Sequence, residues 1–220
     1  MTNSAGVDWH DWHRPYEQPD SSLSRRLAAV QEQLRDALDR APAGPLTLIS
    51  MCAGQGRDVL GVLPFHPRRD DVRGRLVELD PRNAAAARAG ISEHGLDLEV
   101  LEADAGTTHS YLGSVPADVL LVCGVLGNMS DEDVRRTVAT LPSLCRPSAS
   151  VIWTRTREAP DLTPTLRGWF AEEQLREVAF VAPEGVRYSV GACRYEGPPR
   201  TLETDRTIFH FVRWGANPGL

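Results

Sequence analysis

The residues best equipped to do chemistry gather around one stretch. Leu46 to Met51 is an apolar run suited to a sheet; it breaks at Cys52-Ala53-Gly54-Gln55-Gly56 and continues as Arg57-Asp58-Val59-Leu60. This is the pattern of a buried strand, a tight glycine turn and a helix start. Gly54 and Gly56 let a ligand approach the backbone with no side chain in the way. The first turn of a helix offers free N–H groups to whatever lies above it. Glu78 follows Gly56 by 22 residues and ends a second apolar run, Gly74 to Leu79. A carboxylate at that spacing can accept both hydroxyls of a ribose. Together these features describe a nucleotide-type pocket.

A second group of reactive side chains lies near the N-terminus. Trp9, His10, Trp12, His13 and Tyr16 crowd a segment that precedes any periodic element. Such a segment can pack its rings on the domain, or close as a lid that brings imidazole and aromatic groups to a ligand. Imidazole titrates near neutral pH, so His10 and His13 are candidate proton acceptors. Tyr16 is placed to close over the bound nucleotide and Trp12 to touch a second substrate. His10 and His13 lack a convincing third ligand, so no metal is expected.

The elements that must position these groups alternate regularly. Leu23, Leu27, Val30, Leu34 and Leu38 recur at helical spacing over residues 21–40, a stripe that suits core packing. Helix 55–63 follows the first strand, and Asp80-Pro81 opens the next as N-cap and first-turn proline. Strands are expected at 98–101, 118–123, 150–154, 177–182 and 207–212, with helices after Ser130 and near 163–174. Ser130 with Asp133 caps the helix after the fourth strand. The pattern predicts an α/β, Rossmann-like, doubly wound and mostly parallel seven-stranded sheet. Helices cover both faces, and one of the last two strands can run antiparallel. Residues 1–43 are read as an arm and helix forming a lid, and residues 44–220 as the binding domain. Ligands in such a sheet sit beyond the carboxyl ends of the strands. That draws in Asp104-Ala105, Cys123 to Asn128 and Thr154 to Arg157. His210, between Phe209 and Phe211, reads as structural.

At 220 residues, 41% hydrophobic and 25% charged, one soluble globular domain is the default. A net charge of −6 disfavours nucleic acid or an anionic membrane as partner. The four cysteines are scattered without a CxxC pair, which suits reduced thiols in the cytoplasm. Neither a signal peptide nor an apolar run of about 18 residues is visible.

The phase of the glycines separates nucleotides. A dinucleotide loop needs a third glycine where Val59 stands, and Gly61 is out of phase. Read with its order and spacing, the chain resembles class I S-adenosylmethionine-dependent methyltransferases over roughly residues 44–157. The carrying segments are Ile49 to Asp58, Leu76 to Pro81, Glu102 to Ala105 and Ala117 to Asn128. It also resembles actinobacterial methyltransferase-like proteins of uncertain substrate. The resemblance implies S-adenosylmethionine as cofactor and S-adenosylhomocysteine as product. It implies that Cys52, Ala53, Gly54 and Gly56 lie along the methionine and ribose, and that Glu78 holds the ribose hydroxyls. Leu79 would lie on the adenine face, Asp104 and Ala105 would meet the adenine edge, and Cys123 and Gly124 would face the methionine end. Ser50 is counted with the cofactor-binding residues, although the family usually has an acid there and glycine where Cys52 stands, and its glycine pair before strand five is Pro147-Ser148 here. These departures leave two expectations: weaker cofactor binding, or compensation by another group such as Asp118 or the N-terminal arm.

Methyl transfer from a sulfonium depends on in-line alignment, and on a base only where the acceptor must lose a proton. His13, His10 and Asn128 are the catalytic candidates; Trp12, Arg155, Arg157 and Tyr188 are the substrate candidates. Arg155 and Arg157 suit a carboxylate or phosphate, and residues 186–195 are read as a wall of the acceptor pocket. The N-P-P-[YF] motif of base and amide methylation is absent after strand four, where Cys123-Gly124-Val125-Leu126 stands. The expected reaction is O-, N- or C-methylation of a small molecule, as in secondary metabolism. A cyclase-like enzyme using the cofactor without methylating, and a non-catalytic binding protein, are the alternatives. A homodimer is an admissible assembly.

Overall fold

The computed structural model describes Tyr16, Gln18 and residues 20–212. Five strands pair in parallel: β1 (Leu46–Met51), β2 (Val72–Glu78), β3 (Asp97–Glu102), β4 (Ala117–Val122) and β5 (Cys145–Thr156). β6 (Leu175–Val181) and β7 (Tyr188–Tyr195) complete a seven-stranded sheet of order β3-β2-β1-β4-β5-β7-β6. β7 runs antiparallel to both its neighbours. The chain leaves one edge after β3 and re-enters beside β1 as β4, so the switch point lies between β1 and β4.

Side-chain alternation along the strands sorts the core into two layers. Ile49, Met51, Leu120, Val122, Val151 and Trp153 pack under α4 (Asp131–Leu144) and α5 (Thr163–Glu172). Leu48, Val119, Leu121, Ile152 and Val190 pack under α1 (Ser22–Arg40), α2 (Arg57–Leu60) and α3 (Pro81–His94). α1 is therefore seated on the sheet: Val30, Leu34, Ala37 and Leu38 are buried there. The expected caps are present. Asp80 accepts from the Arg82 N–H at 2.9 Å and Ser130 from the Asp133 N–H at 3.1 Å. The fold is the α/β Rossmann-like, doubly wound arrangement that the alternation predicts.

Two local expectations fail. The helix expected over 55–63 is one turn, Arg57–Leu60, followed by a 3-10 turn at Leu63–Phe65. The last sheet strand is Tyr188–Tyr195, and Thr207–Val212 is not part of the sheet. Gly191 explains why the earlier segment fits: a Cβ there would lie 2.2 Å from the buried Trp153 ring. Residues 206–212 instead cross the carboxyl ends of the strands. Ile208 N–H donates to Gly106 O at 2.7 Å and Val212 N–H to Asn128 O at 2.9 Å, and Phe211 bridges Met129. Arg136 Nε donates to Ile208 O at 3.0 Å, while Asp133 Oδ2 accepts the His210 N–H at 3.1 Å. This segment is a strap pinned to α4 and to the loops after β3 and β4.

Candidate functional site

A cavity of about 770 Å³ opens at the switch point, beyond the carboxyl ends of β1, β2, β3 and β4. Register builds it. Met51 pairs with Val77, so Cys52 follows β1 just where Glu78 ends β2. Ala53 N–H donates to Val77 O at 2.9 Å and Gly56 N–H to Ala53 O at 2.9 Å, closing the turn beside the Glu78 carboxylate. Cys52 takes φ +49° in this turn, a left-handed conformation that costs a residue with a Cβ.

Glu78 is held from two sides. Its Oε2 accepts the Gly54 N–H at 2.7 Å and its Oε1 accepts the Asp80 N–H at 2.8 Å. Burial pushes its carboxyl above the usual range, and the two N–H donors pull it partly back. Each oxygen has a further lone pair with which to accept from a hydroxyl. Leu79, next in the chain, is 65% exposed and lines the cavity with Pro81. It offers an apolar surface to a flat ring. Asp104 lines the cavity after β3, its Oδ1 accepting the Gly106 N–H at 2.7 Å. Ala105 lies beside it. Cys123 and Gly124 line the cavity after β4, where Thr154 Oγ1 accepts the Gly124 N–H at 2.8 Å. Burial raises both the Cys52 and Cys123 thiols well above their ordinary value, so neither is a thiolate nucleophile at neutral pH.

Of the residues expected here, Tyr16, Cys52, Ala53, Gly54, Glu78, Leu79, Asp104, Ala105, Cys123, Gly124 and Asn128 line the cavity together. Arg57 lies 5.5 Å from the Tyr16 ring centre, and Arg26 donates to the Tyr16 hydroxyl at 3.1 Å. Asn128 Nδ2 donates to Gly124 O at 2.6 Å, closing the loop it belongs to. His10, Trp12 and His13 lie outside the described residues.

Other expected residues stand elsewhere. Ser50 is buried within β1 between Leu76 and Leu121 and does not line the cavity. Gly56 caps α2 at φ +71°, where a Cβ would meet Leu76 Cδ2 at 3.0 Å; its role is the turn. Arg155 turns back to donate to Leu126 O and to pair with Asp131 at 3.8 Å, and Arg157 pairs with Asp161 at 3.5 Å. Neither lines the cavity, nor does Tyr188, whose strand packs beneath α1. The 186–195 stretch is thus sheet, not acceptor wall. Asp118 sits at the opposite end of β4, accepting the Thr47 N–H at 2.9 Å and pairing with Arg146 at 3.2 Å, so it cannot serve the cavity.

The strap and α1 supply lining that the sequence reading did not assign. Phe209, His210 and Phe211 form one wall, and Arg26, Leu27 and Val30 another. The Phe209 and Phe211 rings stack at 5.4 Å. Gly106 makes room for the strap, since a Cβ there would lie 2.4 Å from Phe209 O. His210, read as a structural strand residue, is the histidine that the described residues bring to the cavity.

Asp58 is the other addition. It is buried in α2, lines the cavity, and its carboxyl is pushed up to about 6, chiefly by burial. A folded-state value above the free value of 3.8 means that the ionised form is disfavoured by folding. The empty protein should therefore lose stability as pH rises from 3.8 to about 6 and lose no more from this group above that. Asp58→Asn should raise the neutral-pH stability by about 1–3 kcal/mol and remove this part of the pH dependence. Thermal melts at about pH 4 and about pH 7.5 check both; an amide variant less stable at the higher pH would contradict the assignment.

No family model matches the chain, and no curated protein matches it significantly. Solved structures do. An O-methyltransferase family protein from Burkholderia thailandensis matches at TM-score 0.60 and 18% identity, over 88% of this chain and 65% of its own. The CurJ carbon methyltransferase matches at TM-score 0.67 and 14% identity, over 86% and 59%. The 1,6-didemethyltoxoflavin N1-methyltransferase of Burkholderia thailandensis, solved with its substrate and S-adenosylhomocysteine, matches at TM-score 0.62 and 16% identity, over 86% and 87%. The chain thus spans less than two thirds of the length of the first two. At these identities the likeness is one of architecture: this chain has the Rossmann-like α/β fold found in those methyltransferases.

Proposed function

We propose that the chain is an S-adenosylmethionine-dependent methyltransferase acting on a small molecule. The observation that carries this reading is Glu78. It is a buried carboxylate at the end of β2, braced by the Gly54 and Asp80 N–H groups and open to the cavity. In this reading Glu78 holds the ribose hydroxyls, Leu79 lies on the adenine face and Asp104 with Ala105 meets the adenine edge. The Cys52–Gly54 and Cys123–Gly124 backbone runs along the amino-acid end, and Tyr16 closes over the cofactor. S-adenosylhomocysteine is the product.

The chemistry asked of the protein is alignment. The acceptor must lie behind the S–CH3 bond with water excluded. Phe209 and Phe211 line the cavity and suit an aromatic acceptor. His210 is the proton acceptor we favour among the described residues, with Asn128 kept as a group that orients the acceptor; His10 and His13 stay as candidates on the arm. The actinobacterial resemblance, a role in secondary metabolism, a cytoplasmic setting, a homodimer and a lid built from residues 1–43 belong to the same proposal.

The test is a panel of phenols, amines and carbon acids incubated with the protein and S-adenosylmethionine, read by mass spectrometry. A product heavier by one methylene, with matching S-adenosylhomocysteine, supports the reading; a rearranged acceptor of unchanged mass would mark a cyclase-like enzyme instead. With an accepted substrate, His210→Gln should lower kcat by roughly a hundredfold and leave the KM for S-adenosylmethionine unchanged. Asp104→Ala should weaken S-adenosylmethionine binding at least tenfold, about 1.4 kcal/mol, measured by fluorescence titration.

A further inference from the structure

The cavity holds a buried carboxyl group that has no ion-pair partner among the described residues. Asp58 is 9% exposed and lines the cavity from the single turn of α2. Its Oδ1 accepts the N–H of Val59 at 2.9 Å, and no arginine or histidine among the described residues forms an ion pair with it. A carboxylate in that state is costly unless something positive meets it. Cys123 lines the same cavity, and its thiol feels the charge of Asp58 more than that of Arg26. Under the proposed function, the amino-acid end of the ligand runs along Cys123 and Gly124. That end carries an ammonium group.

We propose that Asp58 holds the ligand's ammonium group, so that the charge left unpaired in the empty protein is paired in the complex. This inference rests on the nucleoside reading of the site and adds to it the residue that recognises the amino-acid end. Ser50 does not reach the cavity and Asp118 is spent at the far end of β4. Glu78, braced by the Gly54 and Asp80 N–H groups, is assigned to the ribose hydroxyls in the same reading. Asp58 is left as the carboxylate near Cys123. A binding site that leaves a charge unpaired until its ligand arrives discriminates strongly against ligands lacking the partner charge.

The test is calorimetry of wild type and Asp58→Asn with two ligands. They are S-adenosylhomocysteine and its analogue with hydrogen in place of the amino group. Wild type should bind the amino ligand at least about thirtyfold more tightly, and Asp58→Asn should lose that preference while binding the deaminated analogue within about threefold of wild type. Asp58→Asn binding S-adenosylhomocysteine as wild type does, or weakening both ligands equally, would overturn the inference. Wild type binding both ligands alike would also overturn it and leave the nucleoside reading standing. Wild type binding neither would remove both. Near-UV circular dichroism establishes that the variant is folded, and Asp58→Ser is read in the same way if the amide variant is not.

Discussion

Replacing Glu78 with alanine is expected to weaken S-adenosylhomocysteine binding by roughly a hundredfold or more. Two losses add. The ligand's hydroxyls lose a charged acceptor, worth about 1.5–3 kcal/mol for such a hydrogen bond. The Gly54 and Asp80 N–H groups, which now meet the carboxylate at 2.7 and 2.8 Å, lose their partner at the turn that must lie along the ligand. Glu78→Gln separates these terms. It keeps one oxygen and the size but not the charge, so it should fall between wild type and alanine. Calorimetry reads all three. Normal binding by Glu78→Ala would show that β2 does not end at a ribose site.

A second large effect is expected far from the ligand. Gly74 lies in β2 opposite Leu48, and a Cβ there would sit 1.9 Å from Leu48 O, a backbone atom that cannot step aside. Gly74→Ala should therefore force β1 and β2 apart and cost about 3 kcal/mol or more. The register it breaks is the one that sets Cys52 beside Glu78, so ligand binding should fall with stability. Gly168→Ala is the control: nothing lies within 4 Å of the new Cβ in α5. It should be neutral or stabilising by up to about 1 kcal/mol. Urea denaturation of both variants checks the pair, and equal stabilities would mean that β1 and β2 tolerate the added methyl.

The site was legible where local chemistry decides it. Asp80-Pro81 and Ser130 with Asp133 cap helices through short-range hydrogen bonds, so they bracket the loops correctly. The glycine turn and Glu78 are fixed by spacing along two neighbouring parallel strands. What escaped depends on distant partners. Tyr188–Tyr195 and Thr207–Val212 both carry strand-forming residues. The contact of Gly191 with Trp153 and the anchoring of Ile208 to Gly106 decide which joins the sheet. The same contacts carry His210 from an expected strand to the cavity. Arg155 follows a strand end as a ligand-binding arginine would, yet its guanidinium turns back to the Leu126 carbonyl. Asp58 was hidden for another reason: a polar residue in a first helical turn looks solvated until the fold buries it. Its signal in the sequence was the missing acid at Ser50, which asks for a carboxylate nearby; Asp58, eight residues on, lines the cavity and Asp118 does not.

The central claim is that the cavity at the β1–β4 switch point is a nucleoside site for S-adenosylmethionine and its product. Calorimetric titration of the wild-type chain with S-adenosylhomocysteine tests it most directly. One molecule per chain with a micromolar Kd, about −8 kcal/mol, is the predicted result. No heat of binding at millimolar ligand would contradict it.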